Sequence, residues 1–425
     1  MPRLPKRSEL ARLTAPDAFW WATGIEDTFI TAPHAATGRT LDEYELTDHY
    51  RRWRDDLGLM ANLGVPCARY GIPWHRIQPA PGHWDWRHAD EPLEHMLALG
   101  IEPQVDLVHY GLPGWIDGAY LHPDYPKLVA DYAARVAERF KGRIHWYTPL
   151  NEPRVTAWYC GRIGWWPPYK RSWRGFVAVM LAVATGIQRT VHALRAVDPE
   201  VVAYHVDPTD LYDTDDPALE EEVERRRRIV FLALDLVAGR VDESHPLYAW
   251  LLNQGASAAT LKAFRRAPAP PEVIGLNLYP LFTTKRLLRD RAGRLRVLMP
   301  YTEAGLIEGV TRRYFDHFGV PMMISEVATS GSVARRQNWL DRSIAEVAAL
   351  RAQGTPMVGY TWWPMFALVT WAWRQGRRDV ADHLLQMGLW NLDRNLDRIE
   401  TPLVESYRAL AASGHVSVGR LVKND

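Results

Sequence analysis

The stretch RIHWYTPLNEP, Arg143 to Pro153, decides how the rest of the chain is read. Its first half, RIHWYT, has the β-branched and aromatic content of a strand. Its second half stops that strand, because Pro153 supplies no amide donor and restricts the backbone of Glu152 before it. An amide and a carboxylate, Asn151 and Glu152, are thereby left at a strand end. A simple turn accounts for this as well as a functional group does, since Asn and Pro are common turn residues.

Outward from this stretch the chain alternates between strand-like and helix-like segments. Strands are predicted at Phe19 to Gly24, Cys67 to Ile72, Glu102 to Val108, Ile144 to Leu150, Val201 to Val206, Val273 to Tyr279, Pro321 to Glu326 and Met357 to Trp363. Between them lie segments such as YPKLVADYAARVAERF and LDRSIAEVAALRAQ, with apolar residues at three-to-four spacing. Eight strands, mostly separated by helices, in 425 residues predict an α/β fold: a single (β/α)8 TIM barrel, one domain over 1–425 with the barrel itself from about 19 to 410. A doubly wound sheet is the competing architecture, but no Gly-rich phosphate turn follows the first strand.

In such a barrel, chemistry sits at the C-terminal strand ends. Those ends offer Arg69, His109, Asn151 with Glu152, His205, Asn277 with Tyr279, Glu326, and Trp362 with Trp363. Each alone has a structural explanation; together they bring two carboxylates, an Arg, a Tyr and amides to one mouth. Two facing carboxylates are what cleavage of a glycosidic bond requires, one protonated to give a proton to the leaving oxygen, the other ionised. Arg69 and Tyr279 favour the charged form of Glu326. Glu152, between apolar neighbours and without an evident partner, is the better acid.

Composition limits the alternatives. A net charge of +1 gives no general pull toward nucleic acid or membrane, and the run Glu224 to Arg228 reads as a solvated helix face. Cys67 and Cys160 have no C-x-x-C partner or zinc spacing, which argues against a disulfide framework or structural metal and fits a reducing, cytoplasmic setting. The longest apolar stretch, Phe176 to Ile187, is too short to span a bilayer. DTDDPALEEE, Asp213 to Glu222, lacks the glycine and terminal Glu of a calcium loop and reads as an exposed acidic loop leading into a helix. No H-E-x-x-H, P-loop or G-x-S-x-G occurs, and two carboxylates complete the chemistry without a cofactor. The 19 tryptophans include several beside polar residues; core packing accounts for many, while flat rings also suit the C–H faces of a sugar.

The segments LGVPCARYGIPWHRIQPAPGHWDW, LVHYGLPGWI, DYAARVAERFKGRIHWYTPLNEP, VIGLNLYP, PMMISEVATS and GYTWWPMFALVTWAW resemble, in order, the motifs of glycoside hydrolase family 1, the β-glucosidase-like retaining enzymes. The resemblance implies a retaining β-glycosidase acting on a carbohydrate or glycoside, with Glu152 as acid/base and Glu326 as nucleophile. It implies Arg69 and Tyr279 as partners of the nucleophile, Asn151 as holder of the sugar 2-hydroxyl, His109 as a ligand of the glycone, the sugar whose bond is cut, and Asn277 as support. The family's carboxyls stand roughly 5 to 5.5 Å apart, which favours a covalent glycosyl-enzyme. Trp363 and Trp371 match its sugar-stacking aromatics, and Trp165 and Trp166 could line the side of the aglycone, the group that leaves, or pack in the core.

The departures fall on glycone recognition. The family's first-segment glutamine is absent, with Thr28 and Phe29 in that stretch; its Phe-Glu-Trp is Val369-Thr370-Trp371; its His-Trp-Asp is His109-Tyr110-Gly111; its Asn-Gly after the nucleophile is Val327-Ala328. The expectation is a glycone other than glucose bound in the family's way. Glu26 and Asp27 are candidates for substituted contacts, against the alternative of a solvated loop pair. A non-catalytic carbohydrate-binding barrel and a transglycosylase using the same glutamates remain open, as does a phosphorylated glycone held near Lys285 and Arg286. Nothing in the sequence opposes a homo-oligomer.

Overall fold

The computed structural model describes residues 3–416; the outermost parts of the 1–425 span, residues 1–2 and 417–425, lie outside it. Eight parallel strands close into a barrel: β1 (Trp20–Gly24), β2 (Cys67–Gly71), β3 (Glu102–Asp106), β4 (Trp146–Thr148), β5 (Val202–Pro208), β6 (Val273–Leu278), β7 (Met322–Val327) and β8 (Met357–Trp362). Each pairs with its neighbours in sequence, and β1 closes the ring against β8 and β2, with Trp20 opposite Gly359 and Gly24 opposite Arg69. The (β/α)8 expectation is borne out, and every predicted strand is found within a few residues of its expected limits.

Period-two alternation explains the two cores. Trp20, Ala22, Cys67, Trp146, Val202, Tyr204, Val206, Val273, Met323 and Val358 fill the barrel. The intervening strand residues, among them Trp21, Ala68, Val105, Tyr147 and Ile274, join the larger layer beneath the helices. That layer includes α1 (His49–Asn62), α2 (Arg87–Ala98), α3 (Tyr125–Phe140), α4 (Trp173–Val197), α5 (Glu220–Val237), α6 (Leu306–Phe318), α7 (Val333–Ala352) and α8 (Pro402–Ser413).

Some expectations need correction. The apolar stretch at Phe176 to Ile187 lies within α4, which at 25 residues is long and apolar enough to cross a membrane by composition; here it packs on α3 with most of that surface buried, as a core helix. The acidic segment at Asp213 begins as a strand, Leu211–Thr214, in a three-stranded sheet beside the barrel with Thr284–Arg289 and Leu295–Leu298. Across that sheet Arg286 pairs with Asp213 and Asp215, and Lys285 with Asp210, so the basic pair considered for a phosphorylated glycone is already neutralised. In the Glu224 to Arg228 run, Arg226 is buried and bonded to Glu222 rather than solvated.

Candidate active site

Alternation on β2 puts Arg69 on the inner face with Cys67, one step nearer the barrel mouth, where it is fully buried. Such a charge is tolerated only with partners. Its Nη1 donates to Glu326 Oε1 at 2.6 Å and to the Ser325 carbonyl at 3.2 Å; its Nη2 donates to Asp106 and to Asn151 Oδ1 at 3.1 Å. Asp106, on the inner face of β3 with Gln104, did not emerge as a site residue from the sequence, although the alternation of that strand points to it.

Glu326 reaches the interior by an irregularity. Strict alternation after Met323 would turn it outward, but the register against β6 shifts between Ile324 and Glu326 and sets Glu326 opposite Asn277. Tyr279 then donates to its Oε2 at 2.6 Å. Glu152 stands at φ 49°, in the left-handed region that a residue with a side chain rarely adopts, immediately before Pro153 starts a short helix. Its Oε1 accepts from Asn277 Nδ2 at 3.0 Å and its Oε2 from the Tyr110 hydroxyl. The reading of Glu152 as unpartnered is thus corrected: both of its oxygens have neutral donors, from β6 and from the loop after β3.

Burial pushes Glu326 up to about 8, against the pull of Arg69; the nearby Glu152 adds to the rise. This modifies the expectation that Arg69 and Tyr279 would simply keep Glu326 charged. The two carboxylates nonetheless keep unequal partners, a guanidinium on Glu326 and uncharged donors on Glu152.

The glycone end differs more from expectation. Asp27 is fully buried and Glu26 nearly so; neither is part of a solvated loop pair. Asp27 Oδ1 lies 2.6 Å from His109 Nδ1, and a Cβ on Gly71 would sit 1.8 Å from Asp27 Oδ2, so the carboxylate occupies space that only a glycine leaves. Burial pushes Asp27 up to about 6, with His109 opposing. Burial also disfavours a charged His109, while Asp27, Asp106 and Glu26 together drive the ring toward its cation. Hydrogen bonding decides against the cation: the Asn151 oxygen is held by Arg69 and Asn277, so its amide NH2 meets His109 Nε2 at 2.8 Å and requires a lone pair there. His109 is then neutral, its Nε2 engaged by Asn151, while its Nδ1 lies close to Asp27 Oδ1 without a hydrogen bond to it.

Glu26 Oε2 accepts from Trp363 Nε1 at 3.1 Å, while Oε1 accepts from Thr28. Trp363 stacks on His109 beneath Arg69, whose guanidinium carbon is 4.5 Å from the ring centroid. Glu26, Asp27 and His109 bring ligand-type atoms within 4.8 Å of one another, the spacing of a cation site, although both Glu26 oxygens already accept hydrogen bonds from Thr28 and Trp363.

Trp371 and Trp166 belong to an aromatic wall. Tyr110, Trp166 and Trp371 lie 5.0 to 5.6 Å apart, and Tyr159 stacks on Trp166. Trp165, by contrast, is 45% exposed. Tyr110, noted in the sequence as a departure and not as a site residue, links this wall to Glu152. Two strand-end residues leave the site: His205 faces α4, where burial and Arg195 push it down to about 3, and Trp362 turns outward to the Met387 carbonyl.

The glycosyl hydrolase family 1 model matches residues 21–238. A bifunctional β-D-glucosidase/β-D-fucosidase of Bifidobacterium breve is 36% identical over 146 residues, 31% of each chain. Thermostable β-glucosidase B of Thermobispora bispora is 32% identical over 170 residues, 34% of this chain and 35% of that protein. These matches span only about a third of the curated relatives' length. The family 1 β-glucosidase of Thermotoga maritima superposes over 95% of this chain and 99% of its own with a TM-score of 0.80 at 18% identity, a likeness of fold.

Proposed function

The chain belongs to glycosyl hydrolase family 1, and from that premise we propose that it is a retaining β-glycosidase in which Glu152 is the acid/base and Glu326 the nucleophile. The observation that carries this reading is the unequal environment of two carboxylates at one barrel mouth: a guanidinium and a phenol on Glu326, an amide and a phenol on Glu152. That inequality supplies one ionised and one protonated group. In the first step the Glu326 carboxylate attacks the anomeric carbon while Glu152 passes its proton to the glycosidic oxygen; the C–O bond breaks and the aglycone leaves as an alcohol. In the second step Glu152, now ionised, takes a proton from water, whose oxygen attacks the same carbon and releases Glu326. Arg69 and Tyr279 hold the nucleophile and stabilise it as it leaves.

The glycone is a modified or otherwise bound sugar. Support comes from His109 Nε2 and Trp363 Nε1, which are spent on Asn151 and Glu26. A site built to hydrogen-bond particular hydroxyls discriminates strongly, so moving those donors changes the accepted sugar. Because one relative is named for glucosides and fucosides, nitrophenyl β-glucoside and β-fucoside are the first probes, with galacto, xylo and manno forms beside them. Release of nitrophenol by wild type and its loss in Glu326→Ala is the expected result; hydrolysis that persists in the variant overturns the assignment.

A further inference from the structure

Beside the barrel, the strand Leu295–Leu298 forms the outer edge of the three-stranded sheet, and no other strand pairs with that edge among the described residues. Every residue from Arg291 to Tyr301 is exposed. Phe282, Leu295, Val297, Leu298, Met299 and Tyr301 make up six of the ten large apolar side chains that stand exposed among the described residues. An open, apolar strand edge is a template for pairing, which proteins otherwise blunt with charge. The one charge on this strand, Arg296, is turned back onto its own hairpin, with Nη2 2.9 Å from Asp290 Oδ2. We propose that this edge joins a second copy of the chain across a two-fold axis at Val297, so that the two sheets become one. The interface stands whether or not Glu152 and Glu326 act as proposed.

The backbone sets the register. The Asp290 N–H donates to the Arg294 carbonyl at 2.9 Å, so that pair is hydrogen-bonded, and by antiparallel alternation so are Leu288 with Arg296 and Arg286 with Leu298. The N–H and C=O groups of Leu295 and Val297 therefore point out of the sheet. Setting Val297 against Val297 of the copy pairs Leu295 with the copy's Met299, and each such pair exchanges two main-chain hydrogen bonds. Residues opposite one another share a face, so Leu295, Val297 and Met299 of both copies meet on one side, that of the buried Leu287. Arg296 falls opposite the copy's Leu298 rather than opposite another charge. Continued outward, the same register brings Arg291 of one copy toward Glu303 of the other. Arg291 has no ion pair among the described residues, and Glu303 has in its own chain only Arg342, at 3.8 Å, and the Tyr301 hydroxyl. Apolar, hydrogen-bonding and charged groups are thus each self-complementary, as a two-fold interface demands. A lipid surface fits less well, because the tip of the hairpin carries Arg291 and Arg294 while its apolar residues lie along one edge.

Sedimentation of the full chain tests the assembly, and cysteine cross-linking tests the register. Wild type is expected to sediment at twice the 48.6 kDa of the chain. Val297→Lys sets two ammonium groups face to face and is expected to weaken the dimer about a hundredfold or more, with an unchanged circular dichroism spectrum. Val297→Cys is the second variant: the Cα atoms of a hydrogen-bonded antiparallel pair stand about 5.5 Å apart, within disulfide reach, so mild oxidation is expected to link the copies. Cys67 and Cys160 are buried and give no background. Leu295→Cys lies four positions along the strand from its own counterpart, about 13 Å, and is expected to stay unlinked. A dimer undiminished in Val297→Lys, or equal cross-linking of the two cysteine variants, overturns the assignment. So does a wild type that is monomeric at about 100 µM, including one that binds vesicles containing phosphatidylserine instead.

Discussion

Arg69 Nη1 donates to Glu326 Oε1 at 2.6 Å, while the side chains bonded to Glu152, Asn277 and Tyr110, are uncharged. The proposed roles rest on this difference, and each has a chemical signature. Glu326→Ala is expected to lose about four orders of magnitude in kcat. Glu152→Ala is expected to lose about 10² to 10⁴ on substrates with poor leaving groups. Azide should rescue the first as an α-glycosyl azide, by entering where the nucleophile stood, and the second as a β-glycosyl azide. Product analysis by NMR checks this, and exchanged stereochemistry would reverse the assignment.

The raised Glu326 carboxyl predicts the pH profile. Where both carboxylates are protonated the nucleophile is lost, and where both are ionised the acid is lost, so activity needs one proton on the pair. Because burial, opposed by Arg69, raises Glu326 to about 8 and a protonated nucleophile cannot attack, the acidic limb of kcat/KM is expected to move up to near that value. An acidic limb below about 6 would show that Glu326 ionises well below it.

In the proposed mechanism the Tyr110 hydroxyl, which donates to Glu152, would stabilise the carboxylate left once the proton has gone. Tyr110→Phe is therefore expected to lower kcat/KM about tenfold for alkyl glycosides, which need that proton, and little for nitrophenyl glycosides, which do not. Equal losses on both would reduce Tyr110 to a packing residue.

Asp207, bonded by the Tyr314 hydroxyl on the outer side of the site, is pushed up by burial to about 7 from its ordinary 3.8. A carboxyl raised on folding contributes its stability below the unfolded value and loses it as pH climbs to the folded one. The window is therefore pH 4 to 7: wild type should fall relative to Asp207→Asn across it, with the gap constant above about 7. Melting temperatures of both proteins over that range test the sign.

Gly24 illustrates how far local sequence can be read. A Cβ there would lie 2.1 Å from the Trp363 ring, so the glycine that ends β1 is required by a side chain more than three hundred residues away. Its place at the end of a predicted strand is legible; its reason is not.

The sequence by itself determined the eight strands, their order and their closure, because alternation and proline or glycine stops are local and the connections between parallel strands are right-handed by necessity. It also picked out most of the residues at the barrel mouth, though not Asp106 or Tyr110 as members of the site. Only the tertiary structure decided which way they face and what they touch. The register shift that turns Glu326 inward depends on pairing with β6, and the phase that turns His205 out depends on where β5 begins. The partners of Glu152 come from two other strand ends, and the burial of Glu26 and Asp27 comes from Trp363, His109 and Gly71 folding over them. Hydrogen bonds and desolvation act over a few ångströms in space, and closing the barrel is what makes distant positions neighbours.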